Sequence, residues 1–143
     1  MKNKLILSVI LVLLFGSFLR ADEVGVHANE YILVFTAQWC SPCKAMEKDV
    51  WPTQDVKAVS SQFYSGRPYR YESPKDDKQF EKWKVDAIPC VIVFNPKTQR
   101  LKRHVGYMDA LRLKQFLLEA PMDRIINMTE YSGEYVKFEK KGN

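Results

Sequence analysis

The chain has 143 residues, 46% hydrophobic and 13% aromatic, which fits one globular domain with a single core and excludes a disordered segment. Its formal charge of +5 overstates how basic that domain is: Lys2, Lys4 and Arg20 precede residue 22 and no acid does, leaving 19 bases against 17 acids. A near-neutral domain of this kind gives no ground for nucleic-acid binding.

At the amino terminus, Lys2 and Lys4 give a positive start, and residues 5–19 are apolar apart from Ser8, Gly16 and Ser17. That run is shorter than the ~20 residues a membrane-spanning helix needs, and a basic start with a short apolar run is the pattern of a secretory signal. Ala21 supplies a small residue before a cleavage point, but Leu19 fits the upstream small-residue position poorly. An uncleaved membrane anchor is therefore the alternative. Residues 1–21 are expected to send the chain to a periplasmic or secreted location, followed by a domain over residues 22–120 and an extension over 121–143.

Residues 22–30 are polar and read as a lead-in. Tyr31-Ile32-Leu33-Val34-Phe35-Thr36 is a continuous β-prone run, as expected of a strand covered on both faces. A helix follows from near Cys43, with Met46 and Val50 on one face and Pro52 as a break. Val56, Val59 and Phe63 recur at helical spacing. Ser65-Gly66-Arg67-Pro68 is a turn, Tyr69-Arg70-Tyr71 a short strand, and Ser73-Pro74-Lys75-Asp76 opens a helix with Phe80 and Trp83 on one face.

Cys90-Val91-Ile92-Val93-Phe94 is a second buried-looking strand, and Asn95-Pro96-Lys97-Thr98 has turn chemistry. The return strand runs to Val105 and ends at Gly106. Its basic run, Arg100, Lys102, Arg103 and His104, reads as the solvated side of an edge strand, where charge blocks unwanted pairing. The last helix spans 109–120, capped by Asp109, with Leu113, Phe116 and Leu117 on its apolar stripe. Strands alternating with helices and closing in a hairpin give an α/β fold, a central mixed sheet flanked by helices. Residues 121–143 form a short carboxy-terminal extension, read as an added strand or tail.

Three cysteines, Cys40, Cys43 and Cys90, are too few for a disulfide framework. Cys40-Ser41-Pro42-Cys43 places two thiols at a helix start. There Cys40 meets free backbone N–H groups and the positive end of the helix dipole, which favour the thiolate that attacks disulfides. Cys43, nearly a turn further in and expected to be the more buried, suits resolution of the mixed disulfide. Pro42 suits the first helical turn because its φ is pre-set. Two other readings stay open at this point: half of a zinc site, or a permanent structural disulfide. The remaining candidates, Cys90, His27 and His104, lack metal-ligand spacing, so no metal is assigned.

Residues 31–44, from the strand through Trp39 and the cysteine pair to Lys44, resemble the first signature of the thioredoxin superfamily. Lys84-Val85-Asp86-Ala87-Ile88-Pro89 resembles its second, a loop with a cis proline opposite the cysteines, and Val105-Gly106-Tyr107 its late glycine turn. Within the superfamily, Cys43-Lys44-Ala45-Met46-Glu47 and the segment from Val50 to Val56 are similar to exported domains of the group that includes the carboxy-terminal domain of DsbD. The resemblance implies a thioredoxin fold and a disulfide oxidoreductase of an exported compartment, a reductant or electron relay. It implies Cys40 as nucleophile, Cys43 as resolving cysteine, and Trp39, Ile88 and Pro89 at the substrate surface, with the Ile88 backbone pairing with an extended substrate. The implied partners are protein thiols and disulfides and a membrane-bound redox protein. The implied enzyme is a monomer without a bound cofactor.

Two positions depart from the pattern. Where many relatives carry a buried aspartate, this chain has Val34, and Glu47, one turn beyond Cys43, is the carboxylate expected to move the proton in its place. Cys90 stands where threonine is commoner, and is read as a core thiol, with a third redox thiol as the alternative. The competing functional class is a non-catalytic binding or assembly module whose disulfide is structural.

Overall fold

The computed structural model describes residues 27, 29–119 and 128–138. The signal-like residues 1–21 and the helix end expected at Ala120 lie outside them. Strand β1, Tyr31–Thr36, coincides with the β-prone run and pairs on one side with two short parallel strands, β2 (Tyr64–Ser65) and β3 (Tyr69–Arg70). On its other side it pairs antiparallel with β5, Cys90–Asn95, which turns back through residues 96–99 into β6, Arg100–Val105. Asn95 Oδ1 makes that turn by accepting from the Lys97 and Thr98 amides at 3.0 and 3.2 Å.

Helix α1, Ser41–Ala45, starts with Pro42 in its first turn, as the cysteine motif implies, two residues before the start near Cys43 that the apolar spacing gives. It runs on through a π-helical turn, Met46–Val50, which buries Met46 and Val50 as expected. Helices α2 (Gln54–Ser60), α3 (Asp77–Lys82) and α4 (Ala110–Leu118) complete the layers. Asp109 caps α4 through the Arg112 amide at 2.7 Å.

Strand alternation divides the core in two. Ile32, Val91 and Val93 face α2 and α4, where they meet Val56, Leu113 and Phe116. Phe35, Cys90 and Ile92 face the other way, in one cluster with Phe80 of α3, Ile88, Cys40 and Cys43. Burying each large apolar side chain contributes ~1.5–3 kcal/mol, so these two faces are the main stabilising term.

Three local expectations are corrected. Strand β6 is not an edge: β7, Met128–Tyr131, pairs parallel outside it, giving the order β2-β1-β5-β6-β7. The basic run is accordingly drawn inward. His104 is fully buried, with its ring 5.9 Å from that of Phe116. Lys102 donates to the Phe116 and Glu119 carbonyls, closing the orphan acceptors at the end of α4, and its burial pushes the ammonium pKa down to about 8. Arg103 donates to the Trp83 carbonyl.

The polar lead-in is the second correction. His27 and Glu30 are both buried, bonded at 2.8 Å, and the His27 ring stacks 4.2 Å from Phe63. The third is Cys40, buried no less than Cys43, as described below. Finally β4, Ala87–Ile88, pairs antiparallel with β8, Val136–Lys137, so the extension returns across the end of the domain.

Candidate functional site

The cysteine pair sits where β1 gives way to α1. Cys40 is the amino-terminal cap of the helix: its backbone is extended, and its Sγ accepts from the Cys43 amide at 3.3 Å. Cys40 and Cys43 form a disulfide, with Cα atoms 5.2 Å apart. Any thiolate released at Cys40 therefore lies among the free amides of the first turn, which stabilise negative charge. Against the expected asymmetry, Cys40 is 0% exposed and Cys43 1%. The reason is that Cys40 belongs to the apolar cluster of Phe35, Ile88 and Cys90, against which Tyr71, Val136 and Phe138 also pack.

Of the other sequence-assigned residues, Ile88 lies in the same buried cluster as the pair. The Ile88–Pro89 peptide is cis, as the resemblance implies, and the Pro89 carbonyl accepts from the Gly106 amide at 2.8 Å. Trp39, adjacent to Cys40, is 47% exposed and rests edge-on against Tyr71 at 5.9 Å. Its preceding residue, Gln38, donates its amide to the Glu72 carboxylate.

Glu47 is half-buried. Its Oε1 accepts from Thr36 Oγ1 at 3.2 Å and faces Arg70 Nη2 at 3.8 Å. It lines a cleft of about 230 Å³ together with Val34, the position at which the family's aspartate is missing, and Trp51. Glu47 thus shares a cleft with Val34, and it comes from the π-helical turn after α1, not from β1.

Cys90 points into the same cluster as the disulfide and is fully buried there. Burial pushes its thiol pKa up to about 12, leaving it with almost no thiolate at neutral pH. Among the described residues, no three His, Cys, Asp or Glu side chains are placed to share a metal ion.

Sequence reasoning missed the support around the pair. Asp76 is 1% exposed and binds Arg67 through both nitrogens, at 2.8 and 2.6 Å, and the Arg70 amide at 2.9 Å. These bonds fix the segment that carries Arg70 and Tyr71. One of two adjacent aspartates in a polar loop gives no signal of burial. Val136 and Phe138 belong to the added strand expected in the extension, but their partners Ile88, Phe80 and Tyr71 lie 48 to 67 residues away in sequence and could not be named from it.

Residues 20–121 match the model of a family described as a thioredoxin-like domain. A thioredoxin of Buchnera aphidicola is 29% identical over 99 residues, covering 68% of this chain and 86% of that protein. The thiol:disulfide interchange protein DsbD of Photorhabdus laumondii is 27% identical over 93 residues, covering 63% of this chain but only 16% of that longer protein. Among solved structures, a Thermus thermophilus thioredoxin superposes with a TM-score of 0.54 at 15% identity, covering 62% of this chain and 71% of that one. The oxidised carboxy-terminal domain of Neisseria meningitidis DsbD gives 0.51 at 18% identity, covering 62% and 77%.

Proposed function

We propose that this chain, which belongs to the thioredoxin-like domain family, exchanges disulfides with protein substrates through Cys40 and Cys43. Its fold is the thioredoxin fold, a mixed sheet flanked by helices. The observation that carries the proposal is the placement of the disulfide-bonded pair at the start of α1, in one cluster with Ile88, the residue that precedes cis Pro89.

In the reducing direction, the Cys40 thiolate attacks one sulfur of a substrate disulfide. The Cys40–substrate bond forms, the substrate S–S bond breaks, and the departing thiolate takes up a proton. Cys43 loses its proton, with Glu47 as the proposed acceptor, and its thiolate then attacks Cys40 Sγ. The Cys40–Cys43 bond forms and the second substrate thiol leaves. Two electrons have passed to the substrate, so the oxidised pair must recover them from a dithiol partner. We place the chain as a reductant or relay recharged by a membrane-bound thiol donor. The likeness to a thiol:disulfide interchange protein DsbD and the signal-like residues 1–21 support that placement and a periplasmic or secreted location.

The test is reduction of insulin by the fully reduced chain, with free thiols counted over time. The wild type should transfer two electrons per molecule and Cys40→Ser none; equal, uncatalysed rates would remove the proposal. One observation favours the second reading, a binding module with a structural disulfide: Cys40 is fully buried, and a buried sulfur cannot be attacked until something moves.

A further inference from the structure

We propose that the carboxy-terminal strap, residues 132–138, is a resident competitor for the edge on which protein substrates dock. A substrate displaces it with an extended segment that carries its own aromatic anchor. This rests on the exchange function proposed above and supplies what controls access to that site.

The strap is held by backbone contacts along its length. The Ser132 amide donates to the Val105 carbonyl at 3.0 Å, and the Tyr107 amide to the Glu134 carbonyl at 2.8 Å. Two glycines permit this approach. At Gly106, with φ +121°, a Cβ would lie 1.8 Å from the Ser132 oxygen. At Gly133, with φ +73°, it would lie 2.3 Å from the Tyr107 oxygen. Neither position accepts a side chain while the strap is in place.

Beyond the turn, β8 lies antiparallel on β4, with Val136 opposite Ile88 and Lys137 opposite Ala87, and the Phe138 amide reaches the Asp86 carbonyl at 3.2 Å. Among the described residues β4 has no other strand partner. Lifting β8 therefore exposes a free strand edge directly before cis Pro89 and in the cluster of the cysteine pair, and such an edge recruits an extended peptide.

The resident segment also shows what the edge accepts. Val136 and Phe138 are two residues apart, so they present the same face of the strap. Val136 packs on the cluster that contains Cys40, and the Phe138 ring lies 4.4 Å from Tyr71 and 5.9 Å from Phe80. Tyr71 in turn meets Trp39, the neighbour of Cys40. With these groups docked, neither cysteine is exposed beyond 1%. The favoured substrate segment runs antiparallel to β4, with a β-branched residue opposite Ile88 and an aromatic side chain two places on, entering the Tyr71–Phe80 site.

The test compares the reduced, full-length wild type with Phe138→Ala and Gly133→Ala, two changes at opposite ends of the strap. Alkylation of Cys40 by iodoacetamide is followed by mass spectrometry, alongside reduction of a disulfide-linked peptide. Both variants should label Cys40 roughly tenfold faster, the modest end of what truncating or straining a packed segment does to a local opening equilibrium. In wild type, a disulfide-linked peptide with an aromatic residue at the anchor position should be reduced faster than its alanine counterpart, and Phe138→Ala should reduce both faster. Wild-type labelling rates in two variants that remain folded by circular dichroism would overturn the strap and leave the exchange function standing. Faster labelling with no exchange in any of the three proteins would keep the strap as a cover and overturn the exchange function instead. If a variant unfolds, hydrogen exchange on the wild type decides: amides of 132–138 opening more readily than those of β5 support the proposal, and equal protection overturns it.

Discussion

Alkylation of the reduced, folded chain at pH 8 should leave Cys90 untouched while Cys40 reacts. Cys90 lies in the centre of the sheet, paired with Phe35 on one side and Val105 on the other, and is 0% exposed. Burial raises its thiol from 9.0 to about 12. At pH 8 the thiolate fraction then falls from about one in ten to about one in ten thousand, a thousandfold loss of reactivity before access is counted. The assay is iodoacetamide labelling read by peptide mass, with a denatured control in which all three thiols react at comparable rates. The same shift has a stability consequence. Between pH 9 and about 12 the native state keeps a proton that the unfolded chain has lost, so this contribution is intact below pH 9 and is lost as pH rises toward 12. Cys90→Ala should flatten that alkaline limb, cost about 1–2 kcal/mol for the sulfur removed from a packed site, and leave exchange activity unchanged. Labelling of native Cys90 within tenfold of a free cysteine peptide, or a Cys40–Cys90 disulfide in the oxidised protein, would refute the reasoning.

Cys43→Ser should convert exchange into capture, leaving a mixed disulfide between Cys40 and the substrate on a non-reducing gel; absence of the adduct would deny Cys43 the resolving role. Glu47→Gln keeps an acceptor for Thr36 Oγ1 and removes the carboxylate proposed to accept the proton, so it should slow release from the mixed disulfide by roughly ten- to a hundredfold without changing Cys40 labelling. An unchanged release rate and pH profile would exclude it. Asp76→Asn removes the charge behind three hydrogen bonds to Arg67 and Arg70 and should cost about 2 kcal/mol in urea unfolding at pH 7. The Arg67 guanidinium holds the Asp76 carboxyl below its usual 3.8, so its contribution is present above pH 3.8 and is lost as pH falls through the lower native value. The variant should lack that acid limb, and an identical pH profile would rule the pair out as a stabilising element.

The parts of the fold legible in the sequence are those fixed by neighbours in the chain. Strand β1 and strand β5 are continuous β-prone runs, and the turn after Asn95 is made by its own side chain. Cys40, Pro42 and the start of α1 are read from four consecutive residues, and cis Pro89 from the signature before it. What escaped depends on distant partners. The charges of β6 look like those of an edge, but β7 pairs outside that strand, and Lys102, Arg103 and His104 find partners on α4 and at Trp83 that no local pattern reveals. His27 and Glu30 read as a polar lead-in, but both are buried, and His27 stacks on Phe63, more than thirty residues on. Cys40 follows the same rule: helix-start chemistry predicts an accessible sulfur, and the cluster that buries it draws on residues from Phe35 to Val105.

The central claim is that the Cys40–Cys43 pair cycles. A redox titration in glutathione and dithiothreitol buffers, read by the mass of the alkylated chain, tests it most directly. The account predicts a two-electron couple near the roughly −270 mV of a thiol reductant and within the range of exchange proteins that extends to about −120 mV. A pair that remains oxidised well below about −300 mV would be a structural disulfide, and the chain would be a binding module instead of an exchange catalyst.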